Sequence, residues 1–263
     1  MLAQRIVVAA IGIPIIVAVV LVGGALFDAV LAAVLGLAAL EFFWMVRGRW
    51  QAPLATAAGL AAGGLVFGAN EGYDWLVYTL AIAAGASLAM LVLTSDVEDG
   101  AANWTAFLGG AIYCGFLGAH FALLRDVDEG RELVLIVLLA TYTADSAAYF
   151  AGITLGRHKF APRISPNKTW EGTAGAMVGG IVAVVVLGYA FDIDWSFLEI
   201  LGLALLFPIF AVVGDLAESV IKRSLQVKDT SNLIPGHGGL VDRLDSLLFT
   251  APLVYYWLVW VVT

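Results

Sequence analysis

Charge is scarce in this chain: only 13% of its 263 residues are Asp, Glu, Lys or Arg, whereas 62% are hydrophobic and the mean hydropathy is +0.96. A water-soluble domain has no way to hide that much apolar surface, so a soluble globular fold is excluded. Cysteine is nearly absent as well. The one thiol, Cys114, lies inside an apolar run, which rules out a disulfide framework and leaves the redox compartment unmarked. Linkers, low-complexity stretches and clear internal repeats are missing, so residues 1–263 read as one membrane domain. Basic residues are outnumbered, 13 against 21 acids for a net charge of −8, which argues against a nucleic-acid partner.

What fills the chain instead is apolar runs. A spanning helix needs roughly 20 predominantly apolar residues. Nine segments qualify, at about 6–24, 27–46, 53–69, 75–94, 102–124, 133–151, 172–191, 197–217 and 246–262, so the expected fold is an all-α polytopic membrane protein. The first run follows Arg5 as a secretory signal would, but it is longer than a signal core and leads into further spans, so it reads as retained. Glycine is abundant, 29 residues, and the patches Gly59 to Gly64 and Gly109 to Gly115 offer small surfaces for close helix packing in lipid.

Threading nine spans from an inside N-terminus puts Arg5, Arg47, Arg49, Arg157, Lys159, Arg163, Lys168, Lys222, Arg223, Lys228 and Arg243 on one side, 11 of the 13 basic residues. Only Arg125 and Arg131 fall opposite, which predicts a cytoplasmic N-terminus, cytoplasmic polar loops and a C-terminus facing out. Acids such as Asp96, Glu98, Asp99, Asp126, Asp128, Glu129, Asp192 and Asp194 sit in short loops and read as solvated. Residues 1–130 form mainly scaffold spans. Two polar inside loops, 152–171 and 218–245, make 131–263 the half that carries chemistry.

Four clusters stand out there. Asp145, in the sixth run, is either a hydrogen-bonded structural acid near Ser146 and Tyr149 or a site carboxylate facing water, since an unpaired Asp at a helix centre costs about 2.5–3.5 kcal/mol. In 156–172 the bases Arg157, His158, Lys159, Arg163 and Lys168 surround Ser165-Pro166-Asn167-Lys168-Thr169, whose turn and N-cap character aims a Lys and backbone N–H groups at one point. A phosphate at that helix start would also meet a favourable dipole. Asp215, Glu218, Ser219 and Lys222 share one helix face at the end of the eighth run, where Glu218 and Lys222 have the spacing of an intrahelical pair. Asp242 and Asp245 stand three apart at the start of the last run, beside Gly236, Gly238 and Gly239. Lys and Arg donors, exposed backbone N–H groups and carboxylates are what a polyphosphate and its divalent cation require, with Mg2+ the natural ion. His237 has no Cys partner for a zinc site.

The pattern Ser219-x-Ile221-Lys222-Arg223-x4-Lys228-Asp229-x-Ser231-x2-Ile234-Pro235-x-His237-Gly238-Gly239-Leu240-x-Asp242-Arg243-Leu244-Asp245 resembles the signature of the phosphatidate cytidylyltransferases, or CDP-diacylglycerol synthases. Asp145, Ala148-Tyr149-Phe150, Gly152, Gly156 and Ser165-Pro166-x-Lys168-Thr169-x-Glu171-Gly172 resemble that family's other polar segment, with Asn167 standing where members commonly carry a second Lys. The resemblance implies a membrane enzyme, usually a homodimer, that joins CTP and phosphatidic acid to give CDP-diacylglycerol and pyrophosphate. It implies Mg2+, with room for a second cation, on Asp215, Asp242 and Asp245, with Asp145 and Glu218 as further candidates. It implies Lys168, Lys222, Arg223, Lys228, His237 and Arg243 as groups acting on phosphate, and Ser165, Ser219, Asp229, Gly238 and Gly239 as groups holding the nucleotide. Two other readings stay open: a CTP-dependent polyprenol kinase, and an ion or polyanion transporter using Asp145 and Asp215 as intramembrane charges.

Overall fold

The computed structural model describes residues 2–48, 52–94, 97–231, 233–234 and 238–262, with side chains from residue 10 onward. Arg49, Asp96, Pro235, Gly236 and His237 lie outside the described residues. In chain order the elements are α1 (Leu2–Val22), α2 (Gly24–Arg47), α3 (Ala52–Asn70), α4 (Tyr73–Thr94), α5 (Gly100–Arg125), α6 (Gly130–Leu155), β1 (Lys159–Ala161), β2 (Ser165–Thr169), α7 (Trp170–Ala190), α8 (Phe197–Ser224), the single turn α9 (Val241–Leu244) and α10 (Leu247–Trp257). Among the described residues eight helical segments are long and apolar enough to cross a membrane, the last of them Val241–Val262, and Ala10–Val22 is a shorter apolar helix. Helices and apolar runs coincide one for one, and the chain is a multi-pass membrane protein.

The chain divides into two compact units, Met1–Asp126 with Val227–Leu244, and Val127–Gln226 with Asp245–Thr263. In the first unit α2, α3 and α5 pack on a core of Phe43, Leu54, Ala55, Ala58, Ala106, Phe107 and Ala111. Their approach is close because glycines stand at the crossings. A Cβ on Gly115 would lie 2.8 Å from Cα of Ala62, and one on Gly59 would lie 3.0 Å from the Gly36 carbonyl. Gly115 falls within π-helical turns, Gly110–Phe116, that interrupt α5. Gly48, at φ 62°, ends α2 in the left-handed conformation and returns its N–H to the Trp44 carbonyl. The end of α2 and the loop after α4 meet through Arg47 and Asp99, 2.7 Å apart, so Asp99 is ion-paired where the sequence suggested only a solvated loop acid.

In the second unit α7 lies flush along α6. Cβ atoms on Gly175 and Gly179 would each come within 2.5 Å of the methyls of Ala151 and Ala147, so only a small-residue seam permits this spacing. On its other side Gly180 faces Pro208 of α8. A capping box starts α8: Ser196 Oγ accepts from the Glu199 N–H at 3.3 Å, and Glu199 Oε2 accepts from the Ser196 N–H at 2.6 Å.

Candidate functional site

The polar stretch between α6 and α7 folds into an antiparallel hairpin where the sequence suggested only turns. β1 pairs with β2 in the register Lys159 to Thr169 and Ala161 to Ser165, with an irregularity between. Pro166 is tolerated because a two-stranded ribbon leaves an outer edge that needs no donor. Strand β2 runs directly into α7 with Thr169 as N-cap, its Oγ1 accepting the Gly172 N–H at 3.1 Å. The first turn of α7 ties down the base of the hairpin. Trp170 donates its N–H to the His158 carbonyl at 2.9 Å, and the Glu171 carboxylate accepts from the Arg157 and His158 N–H groups at 3.1 and 3.2 Å. It also accepts from His158 Nδ1 at 2.6 Å. Lys168 is thereby held one residue before a fixed helix start.

Its ammonium meets Asp215, with Nζ to Oδ2 2.6 Å, which brings the two polar segments of the second unit to one point. Ser219, one turn along α8, donates to Asp215 Oδ1 at 3.4 Å. Glu218, almost wholly buried, pairs with Lys222 at 2.6 Å as the helical spacing predicts. Arg223 donates Nε–H to the Ile164 carbonyl at 3.1 Å, fastening the hairpin turn to the end of α8. The backbone of Asp245 packs on Gly214, the residue before Asp215: a Cβ on Gly214 would lie 2.6 Å from the Asp245 carbonyl oxygen and 3.1 Å from Cα of Ser246. Ser246 Oγ then donates to the Ala211 carbonyl at 3.0 Å. Asp245 Oδ1 accepts the Ser246 N–H at 2.6 Å in the short turn that precedes α10. Asp145 lies on an exposed face of α6, while the neighbouring Ser146 hydroxyl turns to the Tyr142 carbonyl at 2.7 Å. Ser165 opens β2 and is half-buried.

In the first unit Asp242 organises the loop before it. Its Oδ2 accepts from the Thr230 N–H at 3.0 Å and the Gly239 N–H at 2.7 Å, and lies 2.9 Å from the Thr230 hydroxyl oxygen. Gly238 has φ 83° and accepts the Ile234 N–H on its carbonyl at 2.9 Å. Lys228, Asp229 and Arg243 are exposed, and His237 is among the residues not described. The residue that sequence reasoning passed over is Glu41. It is buried in α2, and its carboxylate accepts from the Thr230 hydroxyl and, at 2.8 Å, from the Leu240 N–H. An acid within an apolar run was the available signal.

In the second unit, an ammonium and a carboxylate at one point, with Lys222 and Arg223 farther along α8, are groups that suit an anionic, phosphate-bearing substrate accompanied by a hard cation. Among the described residues no cluster of three or more His, Cys, Asp and Glu is gathered as a metal site. Residues 3–261 match the model of the cytidylyltransferase family. The chain is 35% identical over 285 aligned positions to a phosphatidate cytidylyltransferase of Synechocystis, covering 97% of this chain and 96% of that one. It is 37% identical over 200 residues to the Brucella suis enzyme of the same name, covering 70% and 71%. With the Bacillus subtilis enzyme of that name the identity is 39% over 147 residues, 56% of this chain and 55% of the other.

Proposed function

This chain belongs to the phosphatidate cytidylyltransferase family, and from that premise we propose that it transfers the cytidylyl group of CTP to phosphatidate. A phosphate oxygen of phosphatidate attacks the α-phosphorus of CTP, the bond from that phosphorus to the bridging oxygen breaks, and pyrophosphate leaves. CDP-diacylglycerol and pyrophosphate account for every atom. The observation that carries this reading is the Lys168 to Asp215 contact, which joins a cation for phosphate and an acid for a metal at one place.

Such chemistry is mostly positioning and charge neutralisation. Lys168 is held by the hairpin and the Thr169 cap, Lys222 by Glu218, and Arg223 by the Ile164 carbonyl, so the bases are pre-placed before any phosphate binds. A phosphate monoester is already largely anionic near pH 7, and no side chain is needed as a strong base. The donor chemistry fits Mg2+: Asp215 and Asp245 would supply hard carboxylate oxygens, the backbone of Asp245 packing on Gly214 next to Asp215, and one or two carboxylates with substrate phosphates is that ion's usual holding. When bound, Mg2+ would supply charge neutralisation at the phosphates. The signature adds Asp242 as a further acid, with Lys228, His237 and Arg243 directed to phosphate. The same family resemblance supports a homodimer. The segregation of 11 of the 13 basic residues in the threading supports a site facing the cytoplasm, in the inner membrane of a bacterial cell.

The test is turnover of CTP by the detergent-purified chain with phosphatidate and Mg2+, reading lipid and nucleotide products together. CDP-diacylglycerol with pyrophosphate is expected. CDP formed with a phosphorylated lipid alcohol would overturn the reading in favour of a polyprenol kinase, and ion flux in liposomes without CTP consumption would overturn it in favour of a transporter.

A further inference from the structure

Glu41 and Asp242 meet the same loop from different elements of the first unit. Thr230 Oγ1 is within hydrogen-bonding reach of both carboxylates, yet a hydroxyl has a single proton to donate. The neighbouring amides are shared out in the same way: the Gly239 N–H goes to Asp242 Oδ2 at 2.7 Å, and the next one, of Leu240, to Glu41 Oε2 at 2.8 Å. Gly239 sits where any Cβ would overlap Glu41 Oε1 and Thr230 Oγ1, so the loop closes over the acid without room for a side chain. Glu41 stands on a packed part of α2. Phe42 and Phe43 beside it are buried, and Phe42 packs on Tyr113 of α5 with ring centroids 5.7 Å apart.

A carboxylate is an expensive choice at a buried site in an apolar helix, and a loop could be seated on an apolar side chain instead. What the acid adds is direction. By accepting the Leu240 N–H and the Thr230 hydroxyl it leaves the Thr230 and Gly239 N–H groups to Asp242, and so fixes where the second acid stands.

We propose that Glu41 is a positioning residue for cytidylyl transfer, a buried template on α2 that divides the donors of Thr230, Gly239 and Leu240 with Asp242 and thereby sets Asp242. The turnover readout of this inference rests on the function proposed above; its structural readout does not.

The experiment compares the full-length chain with Glu41→Gln, Thr230→Val, Thr230→Ser and the Glu41→Gln/Thr230→Val double variant. It measures kcat and KM for CTP, amide hydrogen exchange of peptides across 228–242 and across α3 and α5, and thermal unfolding. Gln carries a donor where one of the accepting oxygens stood, so Glu41→Gln should lose on the order of 10- to 100-fold in kcat, the scale of a misplaced reacting group. KM should change little, and exchange should rise in 238–242 while α3 and α5 stay protected. Thr230→Val should behave alike, Thr230→Ser should retain turnover, and the double variant should be no worse than either single one.

Wild-type kcat with a protected loop in Glu41→Gln would overturn the proposal. So would faster exchange spread evenly over α2, α3 and α5, which marks a merely structural acid. If Glu41→Gln fails to fold, Thr230→Val and Thr230→Ser decide, and equal turnover by both overturns it. If the wild-type chain yields no CDP-diacylglycerol, the function proposed above fails while the exchange comparison still supports or overturns the template.

Discussion

Lys168 Nζ lies 2.6 Å from Asp215 Oδ2, and this one ion pair joins a strand residue before α7 to an acid inside α8. Asp215 has no base within a turn of itself along the sequence, so its partner had to come from elsewhere in the chain. The contact also ranks the bases: Lys168 faces the acid proposed above for the metal, while Lys222 and Arg223 are held by Glu218 and by the Ile164 carbonyl.

Lys168→Ala should therefore cost turnover more than folding. Removing one preorganised charge from a phosphoryl site costs on the order of 10²- to 10³-fold. The expected result is that loss in kcat/KM for CTP with thermal unfolding close to wild type, because both partners are partly exposed and a solvent-screened pair adds little stability. Kinetics of the variant alongside a melting curve checks it.

Asp215→Asn and Asp245→Asn should each raise the Mg2+ concentration needed for half-maximal turnover and lower the maximum on the order of 100-fold or more. Titrating Mg2+ at saturating CTP measures both. An unchanged Mg2+ dependence in both variants would remove these acids from the metal site.

Gly214→Ala tests the packing of the Asp245 backbone on α8. The added methyl meets backbone, the Asp245 carbonyl at 2.6 Å, and cannot be relieved by turning a side chain. Overpacking of this kind costs about 1–3 kcal/mol. A lowered unfolding temperature together with lost turnover is expected, and Gly64→Ala, where a Cβ meets nothing within 4 Å, serves as the control.

Thr169→Ala removes the cap that positions Lys168, whereas Thr169→Ser keeps the accepting oxygen. Loss of an N-cap costs about 1 kcal/mol. The Ala variant should unfold earlier and turn over more slowly, with Ser near wild type in both, as thermal unfolding and steady-state assays would show.

Much of this arrangement is legible in the chain because it depends on neighbours. Apolar run length predicted nine spans, and among the described residues eight helices are long and apolar enough, the first run giving the shorter apolar helix Ala10–Val22; the last span, expected from residue 246, starts five residues earlier at Val241. Thr169 was readable as a cap, and Glu218 with Lys222 as a pair, since both rest on spacings of three and four residues. What escaped depends on partners far along the chain. Glu41 takes its donors from residues 189 and 199 positions away, so nothing local distinguishes it from a stray acid in a membrane run. The hairpin escaped because Pro166 and a short register carry too little alternation to read as strands. The seam glycines Gly175 and Gly179 lie outside the patches Gly59 to Gly64 and Gly109 to Gly115 expected to pack, yet they make the tighter contact with alanine methyls.

That seam has an energetic consequence of its own. Glycine and alanine surrender no rotamers on burial. Where Gly175 and Gly179 meet Ala147 and Ala151, α6 and α7 can therefore dock without freezing any side-chain torsion. The ordering cost of this helix pair is displaced to its polar end, onto Lys168, His158 and Glu171, whose long side chains are the ones that must be fixed.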